Sequence, residues 1–112
     1  MSLTTSYSEH DKAMTIRISE RFDFSVHREF RQAYRDRAVG AVRYVVDLNG
    51  TDYMDSSALG MLLLLREHAV GVSHLSGDIT GGSDCGIRIV NCSPEIRQIL
   101  TISNFSKLFE IV

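Results

Sequence analysis

Val42-Arg43-Tyr44-Val45-Val46-Asp47-Leu48-Asn49-Gly50-Thr51-Asp52-Tyr53-Met54-Asp55-Ser56-Ser57-Ala58-Leu59-Gly60-Met61-Leu62-Leu63-Leu64-Leu65 is the stretch that decides the fold. It opens with a β-branched, nearly continuous apolar run, 42–48, as expected of a central strand covered on both faces. Asn49-Gly50-Thr51-Asp52 then reads as a turn. Tyr53 to Ser57 supplies a helix start, with Asp55 as the cap, directly before the leucine run. That run is apolar nearly all round and predicts a buried helix, closed by Arg66-Glu67-His68. A strand that passes through a short turn into a helix is half of a crossover unit on a parallel sheet.

The flanking segments repeat this alternation. From Ala13 to Ser19, Met14, Ile16 and Ile18 alternate with Thr15 and Arg17, the period of a strand with one buried face. From Val26, the apolar residues Val26, Phe30, Ala33 and Tyr34 fall at helical spacing, with Ser25 as cap and an end expected near Gly40. Residues 71–86 turn to Ser, Gly, Asp and Thr and read as a long, mobile loop. Ile87 to Cys92 resumes strand character, and Ser93-Pro94-Glu95 opens a helix with Ser at the cap and Pro at its first position. Ile96, Ile99, Leu100 and Ile102 are expected on its buried face, Asn104 in a left-handed turn that ends it, and 108–112 in a last short strand. The expected architecture is one α/β domain over 1–112, with a mostly parallel central sheet and helices alternating with strands.

Composition narrows the function. The chain has 112 residues, 44% hydrophobic and 23% charged, enough for a single domain with a real core. A net charge of -2, and no Lys/Arg cluster along any segment, argue against nucleic acid. The longest apolar run falls well short of the roughly 18–20 residues that span a bilayer, so no membrane role is expected. The N-terminus lacks a basic start and an apolar core, which makes the cytoplasm the expected location. Cys85 and Cys92, even with His68 or His74, do not match a zinc site and read as ordinary thiols. No metal and no cofactor is expected.

The chemistry centres on Ser56. A serine just after a capping aspartate lies in the first helical turn, where unpaired N–H groups and the positive end of the helix dipole favour an anion. Phosphorylation there adds about -1.5 to -2 charges, which the helix tolerates and which Asp23, Asp52 and Asp55 repel if they lie close. From the residues alone, Asp55 and Ser56 read first as ordinary caps. A catalytic Ser56 would need a base among His10, His27, His68 and His74, and its surroundings are not the Gly-x-Ser-x-Gly elbow. Asp47, Asp52 and Asp55 also suggest an acidic Mg²⁺ pocket, but no lysine follows at a later strand end and Asp47 reads as a turn residue. His68 is read as lying at the C-terminal end of its helix, where it favours the dipole.

Asp55-Ser56-Ser57-Ala58-Leu59-Gly60, preceded by Val45-Val46-Asp47-Leu48, resembles the signature of the STAS family, in particular the bacterial anti-sigma factor antagonists, whose usual form is Asp-Ser-Ser-Gly-Leu-Gly. Arg21-Phe22-Asp23, and Asn91-Cys92-Ser93-Pro94-Glu95-Ile96-Arg97 followed by Phe105 and Leu108-Phe109, are similar to further family segments in the same order. The sequence looks closest to the gammaproteobacterial type that acts in the switch between swarming and biofilm growth. The resemblance implies no catalysis: the unphosphorylated protein binds an anti-sigma factor, a serine kinase phosphorylates it and it lets go, and a serine phosphatase resets it. It assigns the phosphorylation to Ser56, with Ser57 as the fallback, and partner binding to Asp23, Met54, Asp55, Ser57 and Leu59. Ala58 replaces the common Gly, and Glu20 stands where Gly usually precedes the motif around Asp23. The alternative within the family is a stand-alone STAS domain that senses a nucleotide, anion or lipid without a phosphorylation switch, although no Gly-x-x-x-x-Gly-Lys loop is present. Nothing in the sequence sets the oligomeric state.

Overall fold

The computed structural model describes residues 3–10, 12–35, 43–75 and 87–112, and the side chains of 3–10, 12–35, 43–69 and 87–112. The strands are β1 (Leu3–Ser8), β2 (Ala13–Ile18), β3 (Glu20–Phe22), β4 (Arg43–Asp47), β5 (Thr51–Met54), β6 (Ile87–Val90) and β7 (Glu110–Ile111). The helices are α1 (His27–Arg35), α2 (Ser56–Leu75) and α3 (Pro94–Ile102), with 3-10 turns at Phe24–Val26 and Phe105–Lys107.

The central sheet has the order β1-β2-β4-β6-β7. β1 pairs antiparallel with β2 and the remaining neighbours pair parallel, so the sheet is mixed where a mostly parallel one was expected. The difference comes from β1: its apolar content is too low to announce a strand, and only Leu3 is buried on it. β3 and β5 form a second, two-stranded parallel sheet. β5 therefore occupies Thr51 to Met54, most of which was expected as turn and helix start. Thr51 is held there by donating its hydroxyl to the Ile18 carbonyl.

One face of the central sheet carries the core. Met14, Tyr44 and Ile87 are in register, as are Ile16, Val46 and Ile89, and all six are buried. Register partners share a face, so the opposite face carries Thr15, Arg17, Arg43, Val45 and Arg88, all half-buried or exposed, together with the buried Asp47. β4 is thus covered on one face only, against the expectation of two. On the open face Arg17 pairs with Asp47 and Arg88 with Glu110, each across adjacent strands at 3.2 Å. Burial would push the Asp47 carboxyl up, but hydrogen bonds from Asn91, the Asn49 N–H and Arg17 outweigh it and hold it below its ordinary range. Asp47 is therefore a fastener between β2, β4 and the turn after β6, besides accepting from the turn at Asn49.

α1 and α2 pack together, with the Tyr34 and His68 rings 5.1 Å apart. α2 runs on through Leu75, so 71–75 are helix rather than loop, while the remainder of the expected loop, 76–86, lies outside the described residues. His68 accordingly lies inside α2 and not at its C-terminal end; burial, then the charge of Arg35, lowers its pKa. α2 is also not buried all round. Ala58, Met61, Leu62, Leu65 and Ala69 enter the core, while Ser56, Gly60, Leu63, Leu64 and Glu67 face outward at the same spacing.

The first helix begins with a 3-10 turn capped by Asp23 and not with a Ser25 cap. Its expected end near Gly40 lies outside the described residues. α3 follows the expectation, with Ser93 accepting from the Ile96 N–H and Pro94 at the first position. Ile96 and Leu100 are buried, but Ile102 is 73% exposed because it falls beyond the helix's inward arc. Asn104 takes the left-handed conformation, φ 62°, and β7 follows. No helix among the described residues is long and apolar enough to cross a membrane.

Candidate functional site

β3 and β5 lie side by side, with Arg21 opposite Tyr53 and Phe22 opposite Met54. The next residue of each segment turns out of the pair into a helix. Asp23 follows β3 and accepts from both the N–H and the hydroxyl of Ser25, the N–H at 2.9 Å. Asp55 follows β5 and accepts the Ser57 N–H at 3.1 Å, the Ser57 hydroxyl at 2.6 Å and the Ala58 N–H at 3.2 Å. These donors are N-terminal groups that a helix leaves without internal partners. The bonds from Ser25 hold the Asp23 carboxyl below its ordinary value, with help from Arg21. Bonds from Ser57 and Ala58 do the same for Asp55, against the push of the nearby Asp23 charge.

The two carboxylates are thus near neighbours, both ionised, at one end of the small sheet. Arg21 is the cation beside them: its Nε donates to Asp23 at 3.1 Å, and its guanidinium lies 4.3 Å from the centre of the Tyr53 ring. Ser56 is exposed in the first turn of α2, and its hydroxyl makes no hydrogen bond among the described residues. Ser57 is half-buried, with its hydroxyl committed to Asp55. Sequence reasoning could not rank the two serines on such grounds, because which hydroxyl the cap captures depends on the rotamer.

Two backbone positions set this end of the molecule. Gly50 has φ 90°, and its carbonyl accepts the Glu20 N–H at 2.8 Å. Glu20 itself has φ 67°, and the register of β3 on β5 slips between Glu20 and Arg21. Of the two positions where this chain departs from the usual Gly, Glu20 is therefore one at which glycine would be unstrained.

Of the other expected site residues, Met54 is 6% exposed and belongs to the core beneath the site, not to its surface. Leu59 is half-buried against the core. Asp52 is exposed, while Asp47 is engaged at the sheet, and no group of three or more metal-ligating side chains occurs among the described residues. Cys92 is half-buried, with its thiol pKa raised by burial; Cys85 and the side chain of His74 lie outside the described residues. Neither His10, His27 nor His68 is hydrogen-bonded to Ser56, so no nucleophile and base are assembled among the described side chains. The sequence reading missed the exposed aromatics flanking the site, Phe24 at 67% and Tyr53 at 41%, and the outward Leu63 and Leu64. Phe24 stacks on His27, with ring centres 4.8 Å apart.

A protein-family model described as Mlab, STAS domain matches residues 5–111. The chain belongs to the STAS domain family. It is 50% identical, over 99% of each chain, to a STAS-domain containing protein of Pseudomonas aeruginosa (strain UCBPP-PA14). The STAS fold is shared with an anti-sigma factor antagonist from Mycobacterium paratuberculosis, at TM-score 0.70 and 22% identity over 98% of this chain and 85% of that one. It is shared also with the Bacillus cell fate determinant SpoIIAA in the phosphorylated form, at TM-score 0.63 and 16% identity over 98% and 90%. At these identities the two solved structures speak for the fold alone.

Proposed function

We propose that the protein is an anti-sigma factor antagonist of a partner-switching pathway, which binds an anti-sigma factor while unphosphorylated and is released when a serine kinase phosphorylates Ser56. The observation that carries this reading is the unbonded, exposed Ser56 hydroxyl directly after the Asp55 cap, which feels the charge of Asp23, and beside a Ser57 whose hydroxyl is taken. The docking face is built from Ser56, Asp23 and Asp55, the exposed Phe24 and Tyr53, and the outward stripe Gly60, Leu63 and Leu64, with Ser57 and Leu59 at its margin and Met54 supporting it from below. A phosphate at the start of α2 meets the positive end of the helix dipole, while the Ser57 and Ala58 N–H groups there are already taken by Asp55. In an interface it sets a double negative charge beside Asp23 and Asp55 in a partly dehydrated contact. About 3 kcal/mol of such cost weakens binding roughly a hundredfold, enough for a switch.

In this reading the protein has no catalysis of its own, a serine phosphatase restores the binding state, and the cytoplasm is where it works. The likeness of Arg21 to Phe24, of Asp55 to Arg66 and of Ile102 to Phe109 supports the swarming and biofilm type. The test is peptide-level phosphorylation analysis of the protein from its native cells, with Ser56→Ala as control, followed by capture of its partner. One phosphate on Ser56, with an anti-sigma factor captured by the wild type and not by Ser56→Asp, is expected. A phosphate on Ser57, or none in any growth condition, overturns the reading. A second reading, a stand-alone ligand-sensing STAS domain, draws support from the matched family description, which names a STAS domain and no antagonist.

A further inference from the structure

Arg28, Arg31 and Arg35 are spaced three and four residues apart, which sets them on one side of α1 over about 10 Å of helix axis. With His27, Gln32 and, from α2, His68, they line an open groove of about 890 Å³. Among the described residues that line it there is no carboxylate; Glu29 and Glu67, on the same two helices, are not part of the wall. The three arginines form no ion pair among the described residues, where the pairs involve Arg17, Arg21 and Arg88. Like charges at these spacings repel and weaken a helix. In a chain whose net charge is -2, this is a concentrated positive strip, where no Lys/Arg cluster along any segment was expected.

The shape and position of the strip select its occupant. The guanidiniums are exposed and arranged in a row, which gives a single small anion little dehydration and one arginine at a time. An extended chain places alternate side chains about 7 Å apart, so a short segment with acidic residues on one side reaches all three. At its N-terminal end the strip joins the face around Ser56, since His27 of the groove is stacked by the exposed Phe24, which directly follows Asp23. We infer that this groove is a second docking surface, and that it holds an acidic polypeptide segment of the protein partner. The identity of that partner as an anti-sigma factor rests on the proposed function above; the groove's taste for an acidic segment does not.

Fluorescence anisotropy on the full chain tests this, with a labelled 12-residue peptide of alternating glutamate and serine and its glutamine counterpart as probes. The glutamate peptide is expected to bind, weakening steeply with added salt, and the glutamine peptide is not. Replacing both Arg28 and Arg31 by Ala should weaken binding at least tenfold while circular dichroism shows the fold intact. Ser56→Asp should bind the probe as the wild type does, because Ser56 is not in the groove, and this separates failure of the groove from failure of the switch. Absence of binding, equal binding by the double variant, or loss of binding in Ser56→Asp overturns the inference. So does preferential, Arg28- and Arg31-dependent binding of tripolyphosphate, or of vesicles of equal phosphatidylglycerol and phosphatidylcholine.

Discussion

At Asp23 and again at Asp55 a strand of the small parallel sheet ends, and a carboxylate accepts the N–H and hydroxyl of the serine two residues on as a helical turn begins. The two turns differ in what surrounds that shared device. At Asp23 the helix starts as a single 3-10 turn, the intervening residue is the exposed Phe24, and Arg21 pairs with the cap. At Asp55 the cap gathers one more donor, from Ala58, and starts the 20-residue α2, and the intervening residue is Ser56. The same local chemistry thus offers an aromatic at one turn and a free hydroxyl at the other. Capping explains both aspartates; it does not explain the serine between Asp55 and Ser57.

That contrast can be broken at several points. Ser56→Asp should weaken binding of the proposed anti-sigma partner roughly a hundredfold, as read by titration calorimetry, whereas Ser57→Ala should leave that binding within a few-fold. Equal losses from the two would erase the distinction between the serines. Next in size, Gly50→Ala should cost about 1–2 kcal/mol in urea denaturation, because alanine resists φ 90° although space for a methyl group exists, the nearest contact being 3.6 Å from Ser19. Glu20→Gly, at φ 67°, should move stability the other way or leave it unchanged, since relief of strain opposes the added freedom of the unfolded glycine.

Smaller still, Ser57→Ala should cost about 0.5–1.5 kcal/mol through loss of its bond to Asp55, and Ser56→Ala close to nothing, both read from denaturation midpoints. The pH dependence gives the finest comparison. Asp23 and Asp55 are held below the ordinary value of 3.8, so their contribution is present above that value and fades as pH falls through their lower folded values. Removing either carboxylate should flatten the acid limb of a stability-against-pH curve. His68 acts in a higher window. Its pKa is depressed below 6.5, so the unfolded state binds the proton more readily, and stability should rise with pH from below 6.5 until that histidine is neutral in both states. His68→Gln should remove that slope.

How far the sequence could be read follows from where the signals came from. Ser93-Pro94 and Asn104 were legible because a cap, a proline and a left-handed asparagine act within one or two residues of themselves. β1 was not legible, since Leu3 alone is buried on it and no apolar alternation announces the strand that pairs with β2 from Ser8 and Ala13 outward. β5 looked like a turn because its four residues do not alternate in burial, Thr51 and Met54 being buried and Asp52 and Tyr53 exposed, and it is a strand through its pairing with β3. The leucine run looked uniformly buried because hydropathy says nothing of which arc of α2 meets the sheet; packing chose Leu62 and Leu65 and left Leu63 and Leu64 outside. Met54 was expected at the surface for its place in the motif and lies under it instead.

The sequence by itself determined the succession β2, α1, β4, α2, β6, α3 and β7, the caps Asp55 and Ser93, and the serine-bearing turn that led to the STAS family, because each depends on neighbours along the chain. Only the tertiary structure decided that the sheet is mixed and open on one face, that Asp23 and Asp55 press on each other, and that Ser57 rather than Ser56 is bound. It also made three arginines scattered through 28–35 into one wall of a groove, by winding them into a helix and setting His68 opposite. The physical reason is common to all of these. Charge, burial and hydroxyl capture depend on distance through space, and the chain fixes those distances only when its distant segments pack.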